Sequence, residues 1–492
     1  MQNQDPRNTE EKRICADCIN EEYLSDEIRN SGDALPCSYC SGNGTPSWAL
    51  SELADRVHTA IQEHYQRTSD QPSAFDLAMS HAGLDHGTWY REGSPIQETI
   101  EELAKVSGEV AEDIRAVLDS WDLETDDSHH FEDETPYDAE AHYEEKGINP
   151  QEWEDQWQEF EFALTEESRF FNHGAADILS SVFANIHTLP AVKGLEIIQE
   201  AGPGTSHTHI YRARAFQSTE ELLEAIKRPD LLLGAPPPKM ATAGRMNARG
   251  ISVFYGASNP DIALAEVRPP VGSKVAMAYF EIIEPLKLLN LINLEQLDFI
   301  KGSLFDPSYG KELERASFLR TLGNRLARPV MPSDQDIDYI ATQAVADYLA
   351  NYSSPTFDGI IFKSVQGTDD GYNIVLFHRA ARVETIALPK GAEIDSGLSS
   401  SSEEELGDHY SVVEWVPEEK GTDTARKDPI AFYSTFLKFT ELPDNFDQRA
   451  NTLRVDTSKI DIHSVKAAKF ETRKRPVERM RIANKDLRNG DF

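Results

Sequence analysis

Four cysteines stand near the N-terminus as Cys15-Ala-Asp-Cys18 and Cys37-Ser-Tyr-Cys40. Two Cys-x-x-Cys pairs at this separation suit a four-thiolate zinc site, since each pair offers two sulfurs from one tight turn. Gly42 and Gly44 follow the second pair and supply the backbone freedom that such a knuckle uses. Four thiolates leave no open coordination position, so the expected zinc at Cys15, Cys18, Cys37 and Cys40 is structural, stapling a segment too small to hold itself together. Disulfides are the competing use of the same residues. The start, Met1-Gln-Asn-Gln-Asp-Pro6, lacks the basic and apolar runs of a secretory signal, so a cytoplasmic setting with reduced thiols is expected.

A second set of chemically capable residues is scattered over the middle of the chain. His209-Ile-Tyr211-Arg212 reads as a short strand that presents an arginine beside an aromatic residue. Gly244-Arg245-Met246-Asn247 reads as a turn feeding the strand that ends in Tyr255. Asn259-Pro-Asp-Ile-Ala-Leu-Ala-Glu266 reads as a capped helix with a carboxylate near its C-terminal end, where the helix dipole disfavours it and some compensation is required. Phe357-Asp-Gly-Ile-Ile-Phe362 leads to Ser364, and Gly371-Tyr-Asn-Ile-Val-Leu-Phe377 is another hydrophobic strand. Each feature by itself is ordinary: a solvated arginine, a glutamate on a helix face, a serine in a turn.

In this order, the series Tyr-Arg, Gly-Arg-x-Asn, a strand-ending tyrosine, Ala-x-x-Glu and Asp-Gly-Ile-x-Phe-x-Ser followed by Asn-x-Val-Leu-Phe resembles the RES family, over about 180 residues. The resemblance implies an α+β domain with an ADP-ribosyltransferase-like fold and NAD as substrate. It implies catalytic roles for Glu266, Arg212 and Ser364, with Arg245, Tyr255, Tyr211 and Asn247 binding the dinucleotide. The residue types fit that chemistry. Guanidinium groups fork onto pyrophosphate or ribose oxygens, the Tyr255 ring can stack on nicotinamide, and a carboxylate stabilises the oxocarbenium-like ribose formed as the glycosidic bond breaks. Ser364 is expected to position substrate, because no histidine base stands near it to make it a nucleophile. The attacking group is left open between water, phosphate and a macromolecule.

The elements that must hold these residues are set by size and pattern. At 492 residues the chain exceeds one ordinary core, so several domains are expected. Hydrophobic residues make up 39% and charged ones 27%, which suits a folded chain, and no stretch reaches the length of a membrane span. A formal net charge of -37 repels a phosphate backbone, so binding to nucleic acid would need a local basic patch. The expected organisation is a multidomain α+β chain: zinc knuckle over 1–46, helical domain over 47–189, RES domain over 190–388, and acidic linker with C-terminal extension over 389–492.

In the helical part, Trp48, Leu50, Leu53, Val57 and Ile61 mark one buried stripe. Ser94-Pro95-Ile96-Gln97 reads as a capping box opening a helix that carries Ile96, Ile100, Leu103, Val110, Ile114 and Leu118 and ends near Trp121. Asp122 to Glu145 is an acidic loop, solvated by like-charge repulsion. Trp153 to Ile186 reads as one long helix, with Trp157, Phe160, Leu164, Phe171 and Leu179 on its apolar face and Arg169 and His173 together on another. This arrangement resembles the HEPN-like domain found fused to RES domains. Nuclease members of that group space their arginine and histidine more widely, so scaffolding or regulation is expected here.

Between Glu266 and Ser364, helices over Lys311 to Arg325 and Asp334 to Tyr352 would form a lid or dock the N-terminal half. Beyond Pro389 a flexible Ser- and Glu-rich linker leads to a basic run from Lys466 to Arg481, which is expected to neutralise the acidic body or face solvent, with contact to nucleic acid as the alternative. Three functions are therefore in play. The first is a NAD-degrading toxin or defence effector with an antitoxin, immunity protein or defence-system partner, and with self-association open. The second is an ADP-ribosyltransferase, and the third a zinc-knuckle nucleic-acid-binding protein with an idle RES fold.

Overall fold

The computed structural model describes residues 11–40, 44–74, 89–125, 135–192, 194–298, 301–364, 371–399, 408–417, 447–469 and 472–480. The acidic stretch 126–134, Gly42, Arg481 and residues 400–405 of the Ser- and Glu-rich linker lie outside them, whereas its first part, expected to be flexible, forms a strand over Glu393–Ser399. The chain divides into two units, Met1–Gln199 with Leu289–Phe357, and Glu200–Leu288 with Asp358–Phe492. Helices and mixed sheets make it an α+β multidomain protein. No helix among the described residues is long and apolar enough to cross a membrane.

The first unit begins with β1 (Arg13–Cys15), α1 (Glu22–Ser31), β2 (Ser47–Ala49), α2 (Leu50–His64), β3 (Tyr65–Arg67), β4 (Ser94–Pro95), α3 (Ile96–Ala104), α4 (Gly108–Thr125), β5 (His142–Glu145), α5 (Gln151–Phe162) and α6 (His173–Val182). Strands β1 and β2 pair antiparallel, and β5 lies between β3 and β4. The stripe after Ser47 is buried as its spacing predicts: Leu50, Leu53, Val57 and Ile61 are all in the core. Ile14, Leu24 and Ile28 from the cysteine segment share that core with Ile100, Ile114 and Leu118, so knuckle and helices are packed as one body.

Three local expectations are corrected. The helix from Ile96 is two helices: Lys105 takes the left-handed conformation (φ 48°) and ends the first, and α4 restarts at Gly108. There is no capping box either, because Ser94 and Pro95 form a strand and the Gln97 amide donates to the Gly108 carbonyl. The long helix over Trp153 to Ile186 is also broken. After α5 the turn widens over Ala163–Glu167, Ser168 is extended, and Phe171 has φ 56°. Asn172 causes the restart: its Oδ1 accepts from the Ala175 amide while Nδ2 donates to the Ala163 and Ser168 carbonyls. Such side-chain bonds compete with helix continuation and favour a new N-cap. Arg169 and His173 therefore share no helix face, and Phe171 is exposed.

The chain continues through β6 (Ile198–Ala201), β7 (His209–Phe216), α7 (Thr219–Lys227), α8 (Pro229–Leu232), β8 (Phe254–Ala257), α9 (Pro260–Glu266), β9 (Lys274–Ile282), β10 (Leu286–Asn290), α10 (Leu291–Leu294), α11 (Tyr309–Ala327), α12 (Gln335–Asn351), β11 (Gly359–Lys363), β12 (Tyr372–Leu376), β13 (Glu393–Ser399), β14 (His409–Trp415) and β15 (Leu453–Ser464). Eight strands form one sheet in the order β15-β9-β7-β8-β12-β11-β10-β6. The C-terminal extension is thus not wholly a tail: β15 pairs with β9 from Leu453↔Ile282 to Ser464↔Lys274, with a bulge between Val455 and Ile460. Helices α11 and α12 belong to the first unit, where Phe318 packs on Trp157 and Arg325 pairs with Glu154. Of the two uses expected for them, docking on the N-terminal half is the one observed.

Candidate active site and zinc knuckle

Glu266 closes α9. Asn259 caps the start of this helix, its Oδ1 accepting from the Ile262 amide at 2.9 Å, and Pro260 sits at the first helical position, where a missing N–H is no loss. At the other end the carboxylate meets the negative pole of the helix dipole. Its compensation comes from two side-chain donors: Ser364 Oγ donates to Glu266 Oε1 at 3.1 Å, and Asn373 Nδ2 donates to the same oxygen at 2.7 Å. Ser364 and Asn373 are buried, whereas Glu266 is exposed. Oε2 makes no hydrogen bond among the described residues.

Sheet register assembles this corner. Tyr279↔Tyr211, Tyr211↔Ala257, Ala257↔Asn373 and Asn373↔Phe362 are consecutive pairs, forming a row across five strands. Paired residues share a face, and α9 lies on it, because Ile262 and Ala263 pack with Ala257 and Ala213, with Tyr211 at the margin. Tyr211 also meets His209 and Tyr279 edge-on, with centroids 5.5 Å away in each case.

Alternation sends Arg212 to the opposite face. Strands β7 and β8 share a single paired position, and where they part the Arg212 guanidinium lies 5.0 Å over the Phe254 ring and donates to the Tyr255 carbonyl at 2.5 Å. Burial, with Arg214 nearby, brings its pKa down to about 10, which leaves a full cation at neutral pH. Arg212 and Glu266 thus approach the sheet from different sides.

Arg245 stands in a turn built by its neighbours. The Tyr255 hydroxyl donates to Asn247 Oδ1 at 2.8 Å and accepts from the Met246 amide at 2.9 Å. Asn247 Nδ2 donates to the carbonyls of Thr242, Ala248 and Ile251 at 2.9, 3.2 and 3.0 Å. A Cβ on Gly244 would lie 2.6 Å from Asn247 Oδ1 and 2.7 Å from the Tyr255 hydroxyl, so only glycine fits there. Arg245, Asn247 and Tyr255 are therefore one structural group, as are Glu266 and Ser364. Asn373 opens the Asn-x-Val-Leu-Phe part of the motif, but the sequence reading gives it no role in the site. The signal was available: an amide in the middle of the hydrophobic run Tyr372–Leu376 must find a polar partner.

The cysteine cluster is a separate site in the first unit. All four Sγ atoms lie within 4.8 Å of one another, with Cys15–Cys40 at 3.5 Å, Cys15–Cys18 at 3.7 Å and Cys18–Cys37 at 3.8 Å. A tetrahedron of zinc–thiolate bonds has sulfur edges of about 3.8 Å, so the donors fit zinc, and the cysteines are not disulfide-bonded. Backbone amides of Cys15 and Tyr39 each donate to Cys37 Sγ at 3.4 Å, an outer shell that would stabilise thiolate. Gly44, at φ 94°, turns the chain out of the knuckle.

Among comparisons with known proteins, residues 211–395 match the family model described as the RES domain. No curated protein and no solved structure gives a match.

Proposed function

We propose that the RES domain this chain carries cleaves NAD at the nicotinamide N-glycosidic bond, with Glu266 as the carboxylate that faces the reacting ribose. The observation that carries the reading is the Glu266 corner, in which Ser364 and Asn373 both bind one carboxylate oxygen and leave the other towards solvent. As the C1′–N bond breaks, its electron pair leaves with nicotinamide and positive charge grows on the ribose. A fixed carboxylate lowers the energy of that state. Water then supplies hydroxide to C1′ and releases a proton, giving ADP-ribose; inorganic phosphate would give the phosphorylated product.

Ser364 acts by holding Glu266, which fits a serine whose hydroxyl donates to a carboxylate. Arg245 is assigned to the pyrophosphate, with Tyr255 and Asn247 fixing its turn, the Tyr255 ring and Tyr211 offering stacking surfaces, and Arg212 binding phosphate or ribose oxygen at the parting of β7 and β8. An ADP-ribosyltransferase-like fold for the second unit and a HEPN-like, regulatory first unit complete the proposal, which describes a toxin or defence effector restrained by a partner. Product analysis tests it: purified protein should release nicotinamide from NAD, and comparison with and without phosphate identifies the acceptor. Equal NAD consumption by wild type and Glu266→Gln would overturn the site assignment. Label from NAD on protein or nucleic acid would select transfer over degradation.

A further inference from the structure

We infer that Asn373 is a second ribose-binding residue, whose Oδ1 accepts from the 3′-hydroxyl of the nicotinamide ribose while Glu266 Oε2 accepts from the 2′-hydroxyl. The inference rests on the NAD-cleaving reading of the same corner and adds to it a residue and a substrate group. Asn373 is 4% exposed, and its Oδ1 is buried with no hydrogen-bond partner. Buried polar atoms without partners are uncommon in folded proteins, and one beside a candidate active site calls for a donor from outside.

The orientation of the amide follows from its neighbour. An ionised carboxylate only accepts, so the NH2 group must face Glu266 Oε1, and a flipped amide would set oxygen against oxygen. Oδ1 is therefore forced away from the carboxylate. Its flanking partners in the sheet row are Ala257 and Phe362, neither of which has a side-chain donor. The hydrogen-bonded pair thus keeps two acceptors without a partner among the described residues, Asn373 Oδ1 and Glu266 Oε2, one on either side of the 2.7 Å bond between Nδ2 and Oε1. A cis-diol presents two O–H donors on adjacent carbons and satisfies both at once. In NAD the diol next to the breaking bond is that of the nicotinamide ribose, so the same contact that satisfies Asn373 fixes C1′ relative to Glu266.

The test is a four-way comparison of wild type and Asn373→Ala on NAD and on its analogue lacking the nicotinamide-ribose 3′-hydroxyl. Wild type should lose about tenfold in kcat/KM on the analogue, the worth of one hydrogen bond to a buried acceptor, and Asn373→Ala should lose less than about twofold. Both proteins should still reject the 2′-deoxy analogue, which reports on Glu266. If Asn373 merely steadied Glu266, the variant would be slower on both substrates and keep the wild-type discrimination, and that result overturns the inference. Should Asn373→Ala not fold, Asn373→Asp keeps an acceptor and the volume. It should retain the 3′-hydroxyl discrimination while its pH profile moves towards alkaline pH, because two adjacent carboxylates share a proton. Loss of discrimination in that variant also counts against the assignment. No NAD turnover by wild type would remove the parent reading and this inference with it, whereas turnover with unchanged discrimination removes the Asn373 role alone.

Discussion

Glu266 and Ser364 are 98 residues apart in the chain and share a hydrogen bond, while Arg169 and His173 are four apart and share no helix. Both pairs are legible in the sequence as chemistry in waiting. The first is brought together by strand register, which sets Asn373 opposite Phe362 and delivers Ser364 at the end of β11. The second is dispersed by one asparagine, whose side chain caps a new helix between the two residues. Nearness along the chain is thus a poor guide to a site when a local side-chain bond can end the element. A ladder of backbone hydrogen bonds, by contrast, fixes distant residues to within one register step.

Perturbing the two regions should separate them by orders of magnitude. Glu266→Gln keeps the volume and removes the charge; it should cut NAD consumption on the order of a thousandfold with little change in melting temperature, since Glu266 is exposed. Wild-type rates in that variant would dissolve the contrast. The next largest effect belongs to the knuckle. Chelation, or Cys37→Ser, should abolish bound zinc by metal analysis and lower the first thermal transition by roughly 10 °C or more, because metal binding there supplies folding energy and the cysteine segment shares the core of the first unit. Unchanged melting after complete zinc removal would show that the core alone suffices.

Smaller effects sharpen the picture of the corner. Ser364→Ala removes one of two donors to Glu266 Oε1 and should lower kcat about tenfold with KM nearly constant; a change confined to KM would mean that Ser364 contacts substrate instead. Gly244→Ala sets a methyl group against Asn247 Oδ1 and the Tyr255 hydroxyl, so the Arg245 turn must shift, and KM for NAD should rise roughly threefold to tenfold. The smallest effect is expected from Arg169→Ala combined with His173→Ala, less than about twofold on NAD consumption, as befits exposed residues outside any assembled group. A large loss there would return that segment to the active machinery.

Much of this was open to reading from the residues. Two Cys-x-x-Cys pairs announce a four-sulfur cluster because thiolate geometry is local to each turn. The stripe from Leu50 to Ile61 announces a buried helix face, and Asn259-Pro260 announces the cap of the helix ending in Glu266, since both signals act within a few residues. The same local logic misled at Asn172 and Lys105, where one residue ended a helix whose apolar period continued beyond it.

What only the tertiary structure decided is long-range. Asn373 becomes part of the corner because β12 lies beside β8 and α9 crosses that face. Arg212 takes the other face because alternation along β7 is strict. Residues 453–464 complete the sheet edge from the far end of the chain, and the helices over 309–351 leave the RES segment to pack with the first unit. The sequence by itself determined which residues could do the chemistry. Which of them meet was decided by pairing between segments far apart in the chain, a choice governed by the register and burial of whole strands and written in no single stretch of residues.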